Sequence, residues 1–345
     1  MVEFVRVGLV GTGKFARHHA TVWQDIPMAR LVGVHGSDGA RLDAFAGATG
    51  IPAMASYEQL LAASDLVDIV SAHDTHAAYA IPAIQRVRGV LIEKPLEITT
   101  ERAEAICRAA AARRITASVI AQSRFQRGFR LIKCAMEQSS IGQVALCRVV
   151  AIWPRTDVYY AASGGWRGDP RRAGGGALMQ NGIHVMDLLH WWFGPAVAVS
   201  GGLGPEASGE SIERTCWGFI EFAQGTRCEL SLSTWPAAAS RTEVELIGAK
   251  GTLATDGDAV WVRQQGLRGT LRNGAERIAQ RLRPRSTPNR MVRAQCMDVL
   301  RAMGSGRSPL STLDAGLEAL STVQALYRAA REGRRVSLAP TATVQ

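Results

Sequence analysis

No run of about 18 apolar residues, the length of a membrane-spanning helix, occurs anywhere in the sequence. Its start, Met1-Val2-Glu3-Phe4-Val5-Arg6, has an acid where a secretory signal would be basic. Together these predict a soluble protein kept in the cytoplasm, with no membrane partner. Cysteine is sparse: six residues (Cys107, Cys134, Cys147, Cys216, Cys228, Cys296) are scattered without a CxxC pair, which excludes a disulfide scaffold, suggests no metal site and reads as buried thiols. His73 and His76 lie three apart with no third ligand nearby, so they read as lining a cofactor or opening a helix. Acid is nearly absent from one stretch. Between Trp261 and Arg293 nine arginines face the single Glu276, a local excess of eight charges within a net charge of +10. That stretch also holds Gly266, Gly269, Gly274, Pro284 and Pro288 and no aromatic after Trp261, so it reads as a mobile, solvated insertion and not as a nucleic-acid surface.

What is present describes an ordinary globular protein: 345 residues, 47% hydrophobic and 20% charged, enough for a large core and two domains. Val90, Leu91 and Ile92 read as a buried parallel strand that ends abruptly in Glu93-Lys94-Pro95. In open α/β sheets ligands bind beyond the carboxyl ends of the strands, so Lys94 is expected to face a cleft. Arg6 to Val10 reads as a strand, followed by Gly11-Thr12-Gly13-Lys14-Phe15-Ala16 and a helix running toward Asp25. This is the dinucleotide fingerprint GxGxxA: the first glycine permits the turn, the second admits a pyrophosphate, and the helix start supplies free N–H donors. After the next strand, Leu31 to Val34, an NAD enzyme would offer an acid to the ribose, but the sequence has His35-Gly36-Ser37-Asp38. With Gly36 in the acid's usual place, and Ser37 and Arg41 available to grip a 2′-phosphate, NADP is expected over NAD, although Asp38 could turn back to the ribose. A helix at Tyr57 to Ala63, strands at Leu66 to Ser71 and Ile115 to Ile120, and helices at Ala77 to Arg86 and from the Thr99-Thr100 cap to Arg114 complete a doubly wound parallel sheet.

The second half begins with a helix at Arg124 to Gln138 and a strand at Val144 to Trp153. A loop rich in arginine and aromatics follows, including Arg155, Tyr159, Tyr160, Trp166 and Arg167, types that pack on sugar rings and bind hydroxyls, carboxylates or phosphates. After Gly174-Gly175-Gly176, Leu178 to Trp192 has helical spacing, which puts Gln180, His184, Leu188 and Trp191 on one face. From Ile212 the period becomes two, with strands at Ile212 to Phe222, Thr226 to Trp235, Thr242 to Gly248 and Gly251 to Ala254, implying a largely antiparallel sheet. Helices at Arg290 to Met303 and Thr312 to Arg331 close the chain. A domain border near Ile120 gives a dinucleotide-binding domain over 1–120 and a substrate-binding domain over 121–345.

Taken in order, Gly11-Thr12-Gly13, Glu93-Lys94-Pro95, Gln122-Ser123-Arg124-Phe125, Gly165-Trp166-Arg167-Gly168 and Gly174-Gly175-Gly176 through His184 and Asp187 resemble the Gfo/Idh/MocA oxidoreductase family over nearly the whole chain. The resemblance implies an amino-terminal Rossmann domain, then an α+β domain with a large, mostly antiparallel open sheet, and a dimer or tetramer formed through that sheet's exposed face. It implies hydride transfer between NADP, or NAD, and a carbinol or carbonyl carbon of a sugar or polyol. The expected cofactor contacts are Gly11, Thr12, Gly13, Lys14, Phe15, Gly36, Ser37, Arg41, Ser71, His73, His76, Glu93, Lys94, Gln122, Trp166 and Arg167. Lys94, Arg155, Tyr160, Arg167, Gln180, Asn181 and His184 are the substrate contacts. Lys94 matches the family's active-site lysine and His184 the histidine closing its Asp-x-x-x-His motif, so Lys94, His184 and Gln180 are the expected catalytic residues. Gln180 stands where that motif has its aspartate; a subgroup with GWRG looks like Asn then Gln at this place, whereas here Gln180 precedes Asn181. An amide orients a hydroxyl but exchanges no proton at neutral pH, which leaves acid–base work to His184. Competing with this are a catalytically silent NADP- and sugar-binding regulator, a redox-assisted epimerase or lyase that retains its cofactor, and a non-sugar substrate.

Overall fold

The computed structural model describes residues 4–204, 212–236, 240–264 and 286–339. Most of the arginine-rich stretch, 265–285, lies outside the described residues, as does the expectation made of it. The first five strands, β1 (Val5–Val10), β2 (Ala29–His35), β3 (Leu66–Ile69), β4 (Gly89–Ile92) and β5 (Thr116–Val119), form one parallel sheet in the order β2-β1-β3-β4-β5. Helices on both faces bury the strands, which is why β4 reads as an unbroken apolar run: Val90, Leu91 and Ile92 have no exposed surface. Each such side chain contributes roughly 1.5–3 kcal/mol by leaving water. The chain leaves β1 to one side for β2 and returns to the other for β3, so a crevice opens beyond the carboxyl ends of β1 and β3.

The second sheet has eight strands, β6 (Val144–Ile152), β7 (Ala196–Leu203), β8 (Thr215–Phe222), β9 (Arg227–Ser233), β10 (Arg241–Gly248), β11 (Gly251–Thr255), β12 (Val260–Gln264) and β13 (Val336–Ser337), ordered β12-β11-β10-β6-β9-β8-β7-β13. Only β6 and β9 run parallel. The fold is therefore α/β: a Rossmann sheet followed by a larger, mostly antiparallel one. One face of the second sheet is covered by the helices Ile183–Phe193 and Leu313–Glu332. On the other, Trp217 and Phe219 alternate along β8 with buried neighbours and stay about half exposed (52% and 53%). The helix Pro288–Ser305 returns to the first sheet, where Val292, Cys296, Val299 and Leu300 pack against Val7, Val22, Trp23, Leu66 and Leu91.

Several elements depart from the expectation. The helix Gly39–Thr49 was not foreseen; it buries only Leu42 and Phe45, too few to mark a period. Strands β7, β12 and β13 were likewise unforeseen, and β8 begins at Thr215 and not at Ile212. The expected single helix from Leu178 is a π turn, Leu178–Gly182, running into the α-helix Ile183–Phe193. Five cysteines are buried thiols, but Cys134 is exposed.

Candidate active site

A cleft of about 850 Å³ opens at the crevice beyond β1 and β3. Its cofactor side starts at Gly11, whose φ of +118° suits only glycine and where a Cβ would stand 2.5 Å from the Val70 carbonyl oxygen. At Gly13 a Cβ would meet nothing within 4 Å, and the helix Lys14–Gln24 begins there with no side-chain cap. Its first N–H groups are thus free and face open space, a cradle for a diphosphate, and the residues fit a dinucleotide. Thr12, Lys14, Phe15, Gly36, Ser37, Arg41, Ser71 and His73 line the same cleft. Asp38 lines the cleft as well, and its carboxylate accepts the Arg41 N–H at 3.0 Å as a helix cap and pairs with the Arg41 guanidinium at 3.3 Å.

Glu93 and Lys94, leaving β4, form the floor. Beneath them lies a buried network that the sequence reading missed. His19 Nδ1 is 2.8 Å from Asp68 Oδ2, His19 Nε2 is 3.2 Å from Glu93 Oε1, and Trp23 Nε1 donates to Asp68 Oδ2 at 2.7 Å. The second Glu93 oxygen accepts the Lys94 N–H at 3.0 Å. Burial works against charge on His19, but Asp68 and Glu93 outweigh it and raise its pKa to about 10. Burial likewise opposes the Glu93 charge, and the His19 bond and charge outweigh it, pulling Glu93 down to about 2. The signal was Asp68 itself, an acid inside the otherwise apolar Leu66–Ile69 strand.

The opposite wall comes from the second half of the chain. Gly175 and Gly176 admit no side chain, because a Cβ would stand 2.0 Å from the Tyr327 hydroxyl and 2.1 Å from the Glu213 carbonyl oxygen respectively. The Glu213 carboxylate accepts the N–H groups of Gly176 and Leu178 (both 2.9 Å) and the Tyr327 hydroxyl (2.8 Å), fixing the entry to the π turn. Such turns recur at functional sites. Here the Gln180 carbonyl accepts from Lys94 Nζ at 2.8 Å, joining floor and wall. The Gln180 Nε2 donates to the Arg167 and Gly175 carbonyls, at 2.7 and 2.8 Å, and its Oε1 is buried without a partner. Burial pushes the Lys94 pKa down, with Glu93 opposing. His184, one turn on, is driven to about 3 by burial and then by Lys94, so its imidazole is neutral at pH 7. Its helix is held by Asp187, whose carboxylate takes a two-pronged bond from the buried Arg124 at 2.8–3.1 Å.

Not every expected site residue is at the cleft. Tyr160 is buried, with its hydroxyl 3.1 Å from Thr234 Oγ1; its neighbour Tyr159 lines the cleft, because adjacent residues of the short helix Asp157–Ala161 point about 100° apart. His76 opens a helix but is wholly buried, with Nδ1 2.9 Å from the Pro95 carbonyl, a brace behind the wall and not a cofactor contact. Gln122 sits in a 3-10 turn and is not among the lining residues; its Oε1 is buried without a partner. His73 does line the cleft, its ring edge-on to Trp166 at 4.7 Å. Arg155, Asn181 and His184 are not among the lining residues, although Arg155 and His184 are only partly buried. Among the described residues, no three histidine, cysteine or acidic side chains group as a metal site.

Residues 5–121 match the family model for the NAD-binding Rossmann fold of the Gfo/Idh/MocA oxidoreductases, and residues 133–338 match the model for their carboxyl-terminal α/β domain. The chain belongs to the Gfo/Idh/MocA family. This Gfo/Idh/MocA oxidoreductase is 26% identical to D-apiose dehydrogenase of Paraburkholderia graminis, over 98% of this chain and 90% of that protein. It is 24% identical to an inositol 2-dehydrogenase of Rhizobium meliloti, over 73% of this chain and 76% of that protein. Among solved structures, the WlbA dehydrogenase of Bordetella pertussis in complex with NADH and UDP-GlcNAcA superposes with a TM-score of 0.87 at 24% identity, covering 98% of both chains.

Proposed function

We propose that this oxidoreductase interconverts a carbinol and a carbonyl on a sugar or polyol, with Lys94 and His184 acting at one oxygen. The observation that carries the reading is the 2.8 Å bond from Lys94 Nζ to the Gln180 carbonyl, which brings the lysine of the Rossmann half against the wall that bears His184. The free N–H groups after Gly13, with Gly11, Thr12, Ser37 and Arg41, hold the dinucleotide. When bound there, its nicotinamide supplies the hydride acceptor for oxidation and the donor for the reverse direction. In oxidation, neutral His184 takes the hydroxyl proton and becomes imidazolium. The Lys94 ammonium donates to the same oxygen and stabilises its growing negative charge, a role worth about 10²-fold or more in rate within a water-poor cleft. Gln180, its amide N–H groups already spent, offers only Oε1 to a substrate hydroxyl, and Tyr159 takes the orienting role first given to Tyr160.

NADP is the preferred cofactor. Ser37 and Arg41 line the ribose end, Gly36 supplies no acid there, and because Asp38 lines the same end and shares Arg41 the preference is modest. Arg41→Ala is expected to weaken NADP about threefold to tenfold, as loss of an exposed, shared charged bond should, and to leave NAD unchanged; equal loss for both cofactors would reject the preference. The half-exposed Trp217 and Phe219 are covered by a second copy of the chain, so Trp217→Arg should give a monomer in light scattering. The protein works in the cytoplasm on a diffusible substrate, independent of nucleic acid. Absorbance at the nicotinamide band across polyols, aldoses, uronic acids and nucleotide sugars, with NADP and NAD in parallel, tests the whole reading; silence across that panel would reject it.

A further inference from the structure

Two arginines in the wall opposite Lys94 are partly buried without a counter-charge among the described residues. The guanidinium carbons of Arg155 and Arg167 lie 4.9 and 5.2 Å from the centre of the same ring, Tyr159, and Arg167 also lies 4.5 Å from Trp166. Among the described residues Arg155 bonds only to neutral acceptors, the Pro154 carbonyl and Asn181 Oδ1, each at 3.1 Å. Its Nε is buried without a partner, and so is the Nδ2 of Asn181 beside it. The Arg167 guanidinium has no acceptor at all among the described residues, and neither arginine has a carboxylate within 4 Å there. Elsewhere Arg124 holds Asp187, Arg214 holds Asp157, and even the exposed Arg172 holds Asp74. Half-buried guanidinium pairs left without a counter-charge are costly unless something else brings one.

We propose that the substrate carries its own anionic group, a carboxylate or a phosphate, seated against Arg167 and Arg155 around Tyr159. The assignment rests on the sugar-oxidoreductase reading and narrows it to acidic sugars. A guanidinium matches either anion in a fork of paired N–H bonds, and the tyrosine ring fixes both forks in place. Two cations on one side would also turn the substrate, presenting one carbinol and not its neighbours to Lys94. Arg167 lines the cleft that receives the dinucleotide, so a cofactor phosphate is the rival anion, and Arg155, which is not among that cleft's lining residues, separates the two.

The test uses the full chain loaded with NADP and compares a hexuronic acid, its methyl ester, a hexose 6-phosphate and the parent hexose, by turnover and by calorimetric binding. The expected result is that the acid or the phosphate surpasses its neutral counterpart by about 100-fold in kcat/KM, and that Arg155→Gln cuts this ratio about tenfold or more while the cofactor Kd stays within about threefold. Arg155→Lys, which keeps charge but not the fork, should fall between. A neutral sugar bound and turned over as well as its acid would overturn the inference and leave the oxidoreductase reading standing. A ratio unmoved in both variants, or a cofactor Kd that weakens in step with the substrate, would overturn it too. If none of the four is oxidised, the oxidoreductase reading is decided by the wider panel, and the binding comparison of acid against ester still decides for or against the anion.

Discussion

The floor and the far wall of the cleft treat charge in opposite ways. On the floor the buried carboxylates have a buried cation: Asp68 and Glu93 share His19, and Glu93 also takes the backbone N–H of Lys94, whose ammonium meets the neutral Gln180 carbonyl. On the wall, among the described residues, Arg155 has only neutral acceptors and an aromatic face, and Arg167 only aromatic faces. Internally compensated charge belongs to the scaffold, and it holds a lysine in position before anything binds. Uncompensated charge is held for a ligand, and it costs stability until the ligand arrives.

Substitutions on the two sides should therefore differ widely in size. The largest effect is expected from His19→Leu, which leaves two buried carboxylates without their shared cation and should lower the unfolding free energy by about 3–5 kcal/mol in a denaturant titration. A loss under about 1 kcal/mol would show that the floor is not held by charge. The same network predicts a pH signature. The folded pKa of His19, raised to about 10, lies above its ordinary 6.5, so its stabilisation is complete below pH 6.5 and is lost as the pH climbs toward 10. Melting curves of the wild type should fall through that window, and the fall should be missing in His19→Leu. Next, the lowered pKa of His184 keeps its imidazole neutral well into acid, so the acid limb of kcat/KM should lie below pH 6.5; a limb at or above 6.5 would remove His184 as the base. The smallest effect is expected on the wall: Arg155→Gln should cost no more than about 0.5 kcal/mol of stability without substrate, although it harms binding. A large destabilisation there would make Arg155 a scaffold residue and erase the contrast.

The Rossmann half was legible because its signals are local. Buried parallel strands are continuous apolar runs, and Gly11-Thr12-Gly13 announces its turn within three residues. The helix Gly39–Thr49 escaped because most of it faces water. Strand β7 escaped because Ser200-Gly201-Gly202 offers no alternating side chains; its backbone is chosen instead by Trp217 across the sheet, which stands 2.5 Å from where a Gly202 Cβ would be. The π turn was invisible since four-residue spacing fits an α-helix equally well, and the bond that exploits it, Lys94 to Gln180, spans 86 positions. Tyr159 and Tyr160 are neighbours on a five-residue helix, and which of them faces the cleft is set by Thr234 and Arg214 and not by the local sequence. The His19 network shows the same limit, for its members are 49 and 74 positions apart.

A double-mutant cycle on Lys94→Met and His184→Ala, read as kcat on the best substrate of the panel, tests most directly whether residues from the two halves of the chain serve one oxygen. Each single change should lower kcat by about 10²-fold or more with cofactor affinity kept, and the double variant should lose far less than the product of the two, as groups acting as a unit do. Losses that multiply as if independent, or unaltered turnover in either single variant, would contradict the account.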